Sequence, residues 1–98
     1  MVYVTQTATY KKWENKLKDS KARAIIKGRL LRVVDGIYGD VYPVGDGVRE
    51  LRIHYGPGYR IYFKQRAEEV TILLCGGNKS TQSRDIEMAK KLVIQLGI

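Results

Sequence analysis

The 98-residue sequence is poor in the residues that build metal sites and disulfides, with one cysteine and one histidine. Cys75 cannot form an internal disulfide, and the counts exclude Cys-rich and His-pair zinc sites. His54 leaves one imidazole for acid–base chemistry. No apolar run approaches the ~20 residues of a membrane span, and residues 1–13 lack the apolar core of a signal peptide. We therefore expect a cytoplasmic protein with no cofactor, no metal and no membrane contact.

Acidic residues are also scarce: 10 Asp and Glu stand against 18 Lys and Arg, giving a formal net charge of +8. Such an excess points to a polyanionic partner, either nucleic acid, a ribonucleoprotein or an acidic protein. The excess of positive charge is concentrated in residues 11–32, which have nine basic and two acidic side chains. This segment is interpreted either as the solvated faces of two amphipathic helices or as a contact for RNA or an acidic segment.

The first third of the chain predicts a strand followed by two helices. Residues 2–5 open a strand, and a threonine at position 5, 7 or 9 can cap the first helix. Tyr10, Trp13 and Leu17 recur at helical spacing. Ser20 is the expected cap of the second helix. Its apolar face is Ala22, Ile25, Ile26, Leu30, Val33 and Val34.

After the second predicted helix, the spacing of apolar side chains changes from a helical period to the alternation of a strand. Residues 35–47 have loop composition, with a short extended piece at 41–42. Residues 48–55 and 59–66 alternate apolar and polar side chains on either side of a Gly-Pro-Gly turn. Residues 70–75 are apolar on both faces and predict a central strand.

The chain's last part predicts a closing helix. The glycine pair at 76–77 is expected to end the central strand, and the helix is expected to begin near Thr81. The whole chain, residues 1–98, is predicted to be one α+β domain in which two helices pack on one side of a three-strand antiparallel meander. The opposite face of the sheet is expected to stay polar. A basic, aromatic-containing face of this kind suits single-stranded RNA. Its converging side chains are Arg52, His54, Arg60, Tyr62 and Lys64.

These residues allow a metal-free phosphodiester site. The sequence has neither a P-loop nor a Gly-x-Ser-x-Gly motif. Arg60 is the first candidate for a phosphate, because a guanidinium bonds two oxygens at once, although it could also be a cross-strand partner of Glu50. Lys79 precedes the last helix, whose N-terminal amides are a second place for a phosphate. His54 is the acid–base candidate, with Glu50 or Tyr62 in reserve.

Three stretches together resemble one protein family. They are GDGVRELRI at residues 45–53, GPGYRIYF at 56–63 and LLCGGNKSTQ at 73–82. Their combination is similar to RelE/HigB-type toxins, and more narrowly to the branch called addiction module killer proteins. The resemblance covers nearly the whole chain.

The resemblance implies the toxin of a type II toxin–antitoxin module. Such proteins resemble small microbial RNases in fold, and many cut messenger RNA in the ribosomal A site by metal-free 2′-OH attack on the adjacent phosphate. The family's arginine in the Gly-Tyr-Arg motif falls on Arg60, its basic residue after the last strand on Lys79, and its cationic position on the preceding strand on Arg52. The full set expected to contact RNA is Arg52, Arg60, Tyr62, Lys64, Lys79, Ser80 and Gln82.

The chain departs from the family's pattern in two places. Relatives often carry a second arginine where this chain has Ser80, and a tyrosine or histidine near the C-terminus that the residues after Met88 lack. The family therefore leaves the acid–base group unassigned, and His54 is our substitute. Two alternatives stay open: a ParE-like toxin that traps DNA gyrase, and an inactive relic that only binds an antitoxin.

The resemblance also implies partners. We expect a cognate antitoxin that carries a helix-turn-helix DNA-binding domain, a toxin–antitoxin hetero-oligomer, and contact with mRNA and the ribosome. The net charge of +8 is complementary to an acidic antitoxin segment.

We predict that the free protein binds single-stranded RNA with a steep dependence on salt. Each phosphate neutralised releases counterions, so log affinity is expected to fall linearly with log salt at roughly −0.7 per contact. Filter binding or anisotropy from low to moderate salt measures the slope. A flat curve would contradict a polyanion-binding role.

Overall fold

The computed structural model describes residues 2–98, so Met1, the first residue of the predicted domain, lies outside the described residues. Residues 2–98 form five strands, three α-helices and one 3₁₀ turn. In order these are β1 (Tyr3–Gln6), α1 (Ala8–Lys16), α2 (Ser20–Val34), β2 (Val41–Gly45), β3 (Val48–Ile53), β4 (Tyr59–Arg66), β5 (Val70–Asn78), the 3₁₀ turn (Lys79–Thr81) and α3 (Gln82–Leu96).

The strands form one sheet in the order β1-β5-β4-β3-β2. Strand β1 runs parallel to β5, and the other pairs are antiparallel. The predicted α+β architecture, with its N-terminal strand, helical hairpin, meander and closing helix, is confirmed. The meander has four strands rather than three, because the segment at 41–45 pairs with β3. The short extended piece expected at residues 41–42 is the start of this strand, and Pro43 is tolerated in it because β2 is an edge strand.

The first two helices begin at polar caps. The hydroxyl of Thr7 accepts from the amide of Tyr10 at 3.0 Å, as one of the three threonines was expected to do. The second helix is capped by Asp19 rather than Ser20, because its carboxylate accepts from the amides at the helix start, at 3.0 Å from Lys21. A carboxylate at this position also suits the positive end of the helix dipole. Ser20 is the first residue of α2.

One core lies between the sheet and the α1–α2 hairpin. Alternate residues of β3 and β4 point into it, which matches the predicted apolar face. Tyr38 stacks on Phe63 with ring centroids 5.3 Å apart. The buried members are Tyr10, Ile26, Val33, Leu51, Ile53, Ile61, Phe63 and Leu73. Within residues 2–98, no helix combines the length and apolar character needed to cross a membrane.

A second core lies on the opposite face of the sheet, under α3. The expectation that this face stays polar is therefore wrong. Helix α3 presents Ala89, Leu92 and Val93 to the sheet, and Tyr62 is fully buried beneath it. A bulge opposite Tyr62 and Phe63 adds to this core, because Leu74 and Cys75 both enter it. Burial raises the pKa of the Cys75 thiol to about 12, so it stays protonated.

The glycine pair at 76–77 does not end β5, which continues to Asn78. Instead the two glycines let other parts of the chain approach the strand closely. A Cβ on Gly76 would overlap the indole of Trp13, and a Cβ on Gly77 would overlap the carboxylate of Asp85. The pair therefore admits α1 on one face and the start of α3 on the other.

We predict that Gly76→Ala lowers the free energy of unfolding by about 1–3 kcal/mol, because overfilling a packed site displaces its neighbours. Chemical denaturation followed by fluorescence of Trp13, the chain's one tryptophan, measures both the stability and the ring's displacement.

The matched control is Gly28→Ala in α2, where a Cβ meets nothing within 4 Å. Alanine is favoured over glycine inside a helix by roughly 0.5–1 kcal/mol, so this variant is expected to gain stability. Equal stability changes in the two variants would refute the packing argument.

Candidate nucleic-acid interface

The polar centre of the sheet face beside α3 is Glu50, which is fully buried. Its Oε1 accepts from Nε of Arg52 at 2.7 Å, on the same strand. Its Oε2 accepts from the Tyr62 hydroxyl and from Nε2 of Gln82, each at 2.9 Å. One carboxylate thus links β3, β4 and the first residue of α3. We call these four residues and Arg60 the Glu50 network.

The surroundings of Glu50 keep it ionised at neutral pH. Burial opposes the charged form, but hydrogen bonds from Arg52, Gln82 and Tyr62 outweigh it and hold the pKa below its ordinary value of 4.5. Burial, together with the adjacent carboxylate, raises the pKa of Tyr62. Tyr62 is therefore a neutral hydrogen-bond donor. It has no exposed ring for stacking, so the structure does not place it where the sequence suggested.

Arg60 is the member of the network with unused hydrogen-bonding capacity. Its side chain is 10% exposed, and Nη1 lies 4.0 Å from Oε2 of Glu50. Both Nε and Nη1 are buried without a hydrogen-bond partner anywhere in residues 2–98. Buried donors are normally satisfied, so an unpartnered guanidinium is suited to an anionic ligand. The carboxylate of Glu50 places a negative charge near Arg60 but accepts no hydrogen bond from it.

Arg52 lies directly opposite Arg60 in the antiparallel register of β3 and β4. Its side chain is 31% exposed and is held from two sides. Glu50 binds Nε, and the guanidinium lies over the ring of Tyr42, 4.0 Å from the centroid. The predicted convergence of Arg52 and Arg60 is present as two adjacent cations on one face of the sheet.

His54 lies just beyond β3, on the same side as Arg52 by strand alternation. Its imidazole is 74% exposed, and Nε2 donates to Oδ2 of Asp40. Hydrogen bonds from Tyr42 and then His54 lower the pKa of Asp40. The ionised carboxylate therefore fixes the proton on Nε2 and leaves Nδ1 as the acceptor. Asp40 lies in a loop 14 residues before His54, and no sequence pattern predicts that the two are paired.

Lys79 begins the 3₁₀ turn after β5 and is exposed. The turn is held by Asn78, whose side chain accepts from the amide and hydroxyl of Ser80 at 2.9 and 2.6 Å. The amide of Lys79 donates to Pro57 at 3.4 Å, so the turn joins the Gly-Pro-Gly loop that precedes Arg60. An open cleft of about 320 Å³ lies here, lined by Lys79, Ser80, Thr81, Gln82, Ser83 and Arg84.

Two predicted RNA contacts have other partners in this structure. Gln82 donates to Glu50, and Nζ of Lys64 donates to the carbonyl of Ile98 at 3.0 Å. Lys64 is therefore separated from the arginine pair and holds the chain's end to the sheet. Among residues 2–98, no three His, Cys, Asp or Glu side chains gather as metal ligands. The candidate interface thus consists of Arg52, Arg60, His54 and Lys79 around the end of the meander.

The architecture is similar to that of a known toxin. The chain superimposes on a double arginine-to-alanine variant of E. coli toxin RelE in the free state with a TM-score of 0.70, at 16% identity over 91% of this chain and 93% of that one. A chain of the intact E. coli RelBE toxin–antitoxin complex gives a TM-score of 0.64, at 17% identity over 80% of this chain and 96% of that one. The chain therefore has the RelE fold, which confirms the predicted resemblance at the level of fold.

The sequence comparison gives a nearer relative. A Haemophilus influenzae protein named "Uncharacterized protein" is 45% identical over 97 residues, which cover 99% of this chain and 98% of that protein. The chain belongs to the same family as this Haemophilus protein. No protein-family model matches the sequence. The narrower HigB or addiction module killer branch stays a prediction.

We predict that Glu50→Gln lowers the free energy of unfolding at pH 7 by roughly 1.5–3 kcal/mol, because a neutral amide cannot replace charge-assisted hydrogen bonds. The folded pKa of Glu50 is lowered, so its contribution is complete above the ordinary value of 4.5 and is lost as pH falls towards the folded pKa. Urea denaturation between pH 7 and 3 should show the two proteins converging on the acid side.

Glu87→Gln is the matched control, because Glu87 is exposed on α3. Its stability should change by no more than about 0.5 kcal/mol. A Glu50→Gln deficit that stays constant from pH 7 to pH 3 would contradict the ionised network.

Proposed function

We propose that the chain is the toxin of a type II toxin–antitoxin module and acts as a metal-independent endoribonuclease on messenger RNA. The observation that carries this proposal is Arg60, a buried guanidinium with two unpartnered nitrogens beside a second arginine. A phosphodiester offers the paired oxygens that a guanidinium binds. The RelE fold and the net charge of +8 agree with it.

In the proposed reaction, the ribose 2′-oxygen attacks the adjacent phosphorus. A bond forms between O2′ and phosphorus, and the bond from phosphorus to the 5′-oxygen of the next nucleotide breaks. His54 takes the 2′-OH proton at Nδ1 and returns a proton to the leaving 5′-oxygen, which gives a 2′,3′-cyclic phosphate and a 5′-hydroxyl. Arg60 and Lys79 bind the phosphate oxygens, whose negative charge grows in the transition state.

The same proposal includes partners. The fold is shared with the toxin in a structure described as a toxin–antitoxin complex, which supports a cognate antitoxin for this chain. The exposed basic side chains of α1 and α2, such as Lys12 and Lys27, favour an acidic protein segment or ribosomal RNA. We propose the ribosome as the place of cleavage and the cytoplasm as the compartment.

We predict that Arg60→Ala and Lys79→Ala each reduce cleavage of a translated messenger by about 10²-fold or more, because each removes a charge that stabilises the transition state. Primer extension with and without ribosomes measures the cuts. Cuts within codons that need the ribosome support the full proposal, and cuts on free RNA retain the nuclease without the ribosome.

Arg66→Ala and Lys91→Ala serve as matched controls, because both side chains are exposed and lie outside the site on β4 and α3. Both should cleave at the wild-type rate. If folded wild-type protein arrests growth without cutting RNA, the nuclease is refuted and a gyrase supercoiling assay tests the ParE-like alternative.

A further inference from the structure

We propose that Tyr42 and Arg52 form a nucleobase-binding subsite beside Arg60, in which a base of single-stranded RNA stacks on the outer face of this pair. The inference rests on the proposed function, since it takes the phosphate of the same strand to lie on Arg60. It replaces the stacking role that the sequence suggested for Tyr62.

The first argument is exposure of the aromatic rings. Within residues 2–98, the strongly exposed aromatic side chains are Tyr42, at 41%, and Tyr3, at 76%. Tyr3 is on β1, at the opposite edge of the sheet, whereas Tyr42 pairs with Glu50 and lies on the face of the candidate interface. Tyr42 is thus the exposed ring that a strand bound at Arg60 meets.

The second argument is the stack itself. The guanidinium of Arg52 lies 4.0 Å from the centroid of Tyr42. Unpaired RNA bases stack on tyrosine rings and on arginine guanidinium planes, and here a guanidinium already lies over a tyrosine ring. A base added to the pair extends a stack that exists before the ligand arrives.

The third argument is that the plane of the Arg52 guanidinium is held in place. Glu50 binds Nε of Arg52 at 2.7 Å from a fully buried position, which fixes the plane of the guanidinium. The hydroxyl end of the Tyr42 ring lies beside Asp40, whose pKa is lowered chiefly by that hydroxyl. A preformed surface loses little conformational entropy on binding, which favours a ligand site over an incidental surface contact.

The fourth argument is distance from the phosphate site. Arg52 and Arg60 are directly opposite each other, and such residues have Cα atoms roughly 4.5–5.5 Å apart in antiparallel strands. One nucleotide can therefore place its phosphate at Arg60 and its own or the neighbouring base on Tyr42. Stacking reads the flat face of a base and tolerates different sequences, so the subsite is expected to position the strand rather than select one codon.

The test uses two short RNA probes whose 2′-O-methyl groups prevent cleavage. One carries 2-aminopurine at a central position and the other is abasic there. Wild-type protein should bind the first roughly 5- to 150-fold more tightly than the second, and its binding should quench the 2-aminopurine fluorescence. Tyr42→Leu should bind the two probes equally and leave the fluorescence unquenched.

Tyr42→Phe and Tyr3→Leu complete the series. Tyr42→Phe retains the ring and should preserve most of the difference between the probes, and Tyr3→Leu, at the far edge, should preserve all of it. If Tyr42→Leu keeps the wild-type difference in affinity between the two probes, the subsite is refuted. Weaker binding of this variant to an acidic protein would not rescue it.

The failure of the proposed function has a separate signature. Wild-type protein that neither binds the probes nor cuts any RNA refutes the ribonuclease. Wild-type protein that cuts RNA, loses cleavage on Arg60→Ala and shows no preference for the base-containing probe refutes the subsite alone.

Discussion

The buried carboxylate of Glu50 is the interaction on which the rest of the candidate interface depends. An ionised group with no exposed surface is tolerated only where donors surround it, and here they come from β3, β4 and the first turn of α3. The carboxylate therefore ties the closing helix to the meander and sets the position of Arg52. Glu50 makes no hydrogen bond to Arg60, because Nη1 of Arg60 lies 4.0 Å from Oε2. A carboxylate that is satisfied by other donors thus leaves two buried nitrogens of Arg60 without a hydrogen bond among residues 2–98.

The glycine pair at 76–77 and the Glu50 network both hold the start of α3 against the sheet. Close approach of Trp13 and Asp85 to the glycines places the end of β5 and the start of α3 together, and Thr81 donates to Asp85 across that junction. Lys79 projects from this junction. The position of Lys79 is therefore set by backbone packing, whereas the position of Arg52 is set by a hydrogen bond. The interface combines both kinds of constraint within a few residues.

The sequence predicted the elements that have regular periods. Alternation at residues 48–55 and 59–66 located two strands, and helical spacing located three helices, because each periodicity reflects burial on one side. It predicted only a short extended piece at residues 41–42 of β2, where Pro43 and glycines are typical of a loop, and it wrongly predicted that the second sheet face stays polar. That face holds Glu50, Arg60 and Tyr62, which look like solvent-facing residues in a sequence but are buried, with Tyr62 donating a hydrogen bond to Glu50. Arg52 and Arg60 were predicted as site residues from strand alternation and charge, and the family resemblance implied the same two positions. Asp40 and Tyr42 depend on contacts between distant segments, which local pattern cannot reveal.

The chain's one cysteine gains a practical meaning from its place in the fold. Cys75 is buried under α3, and its Sγ lies 3.4 Å from the carbonyl of Asp85, to which it donates. Thiol reagents attack the thiolate of an accessible cysteine, and this one is both covered and protonated. It becomes reactive when the start of α3 leaves the sheet. The rate at which a thiol reagent modifies Cys75 therefore reports how often α3 detaches from the sheet. No label has to be introduced for this measurement.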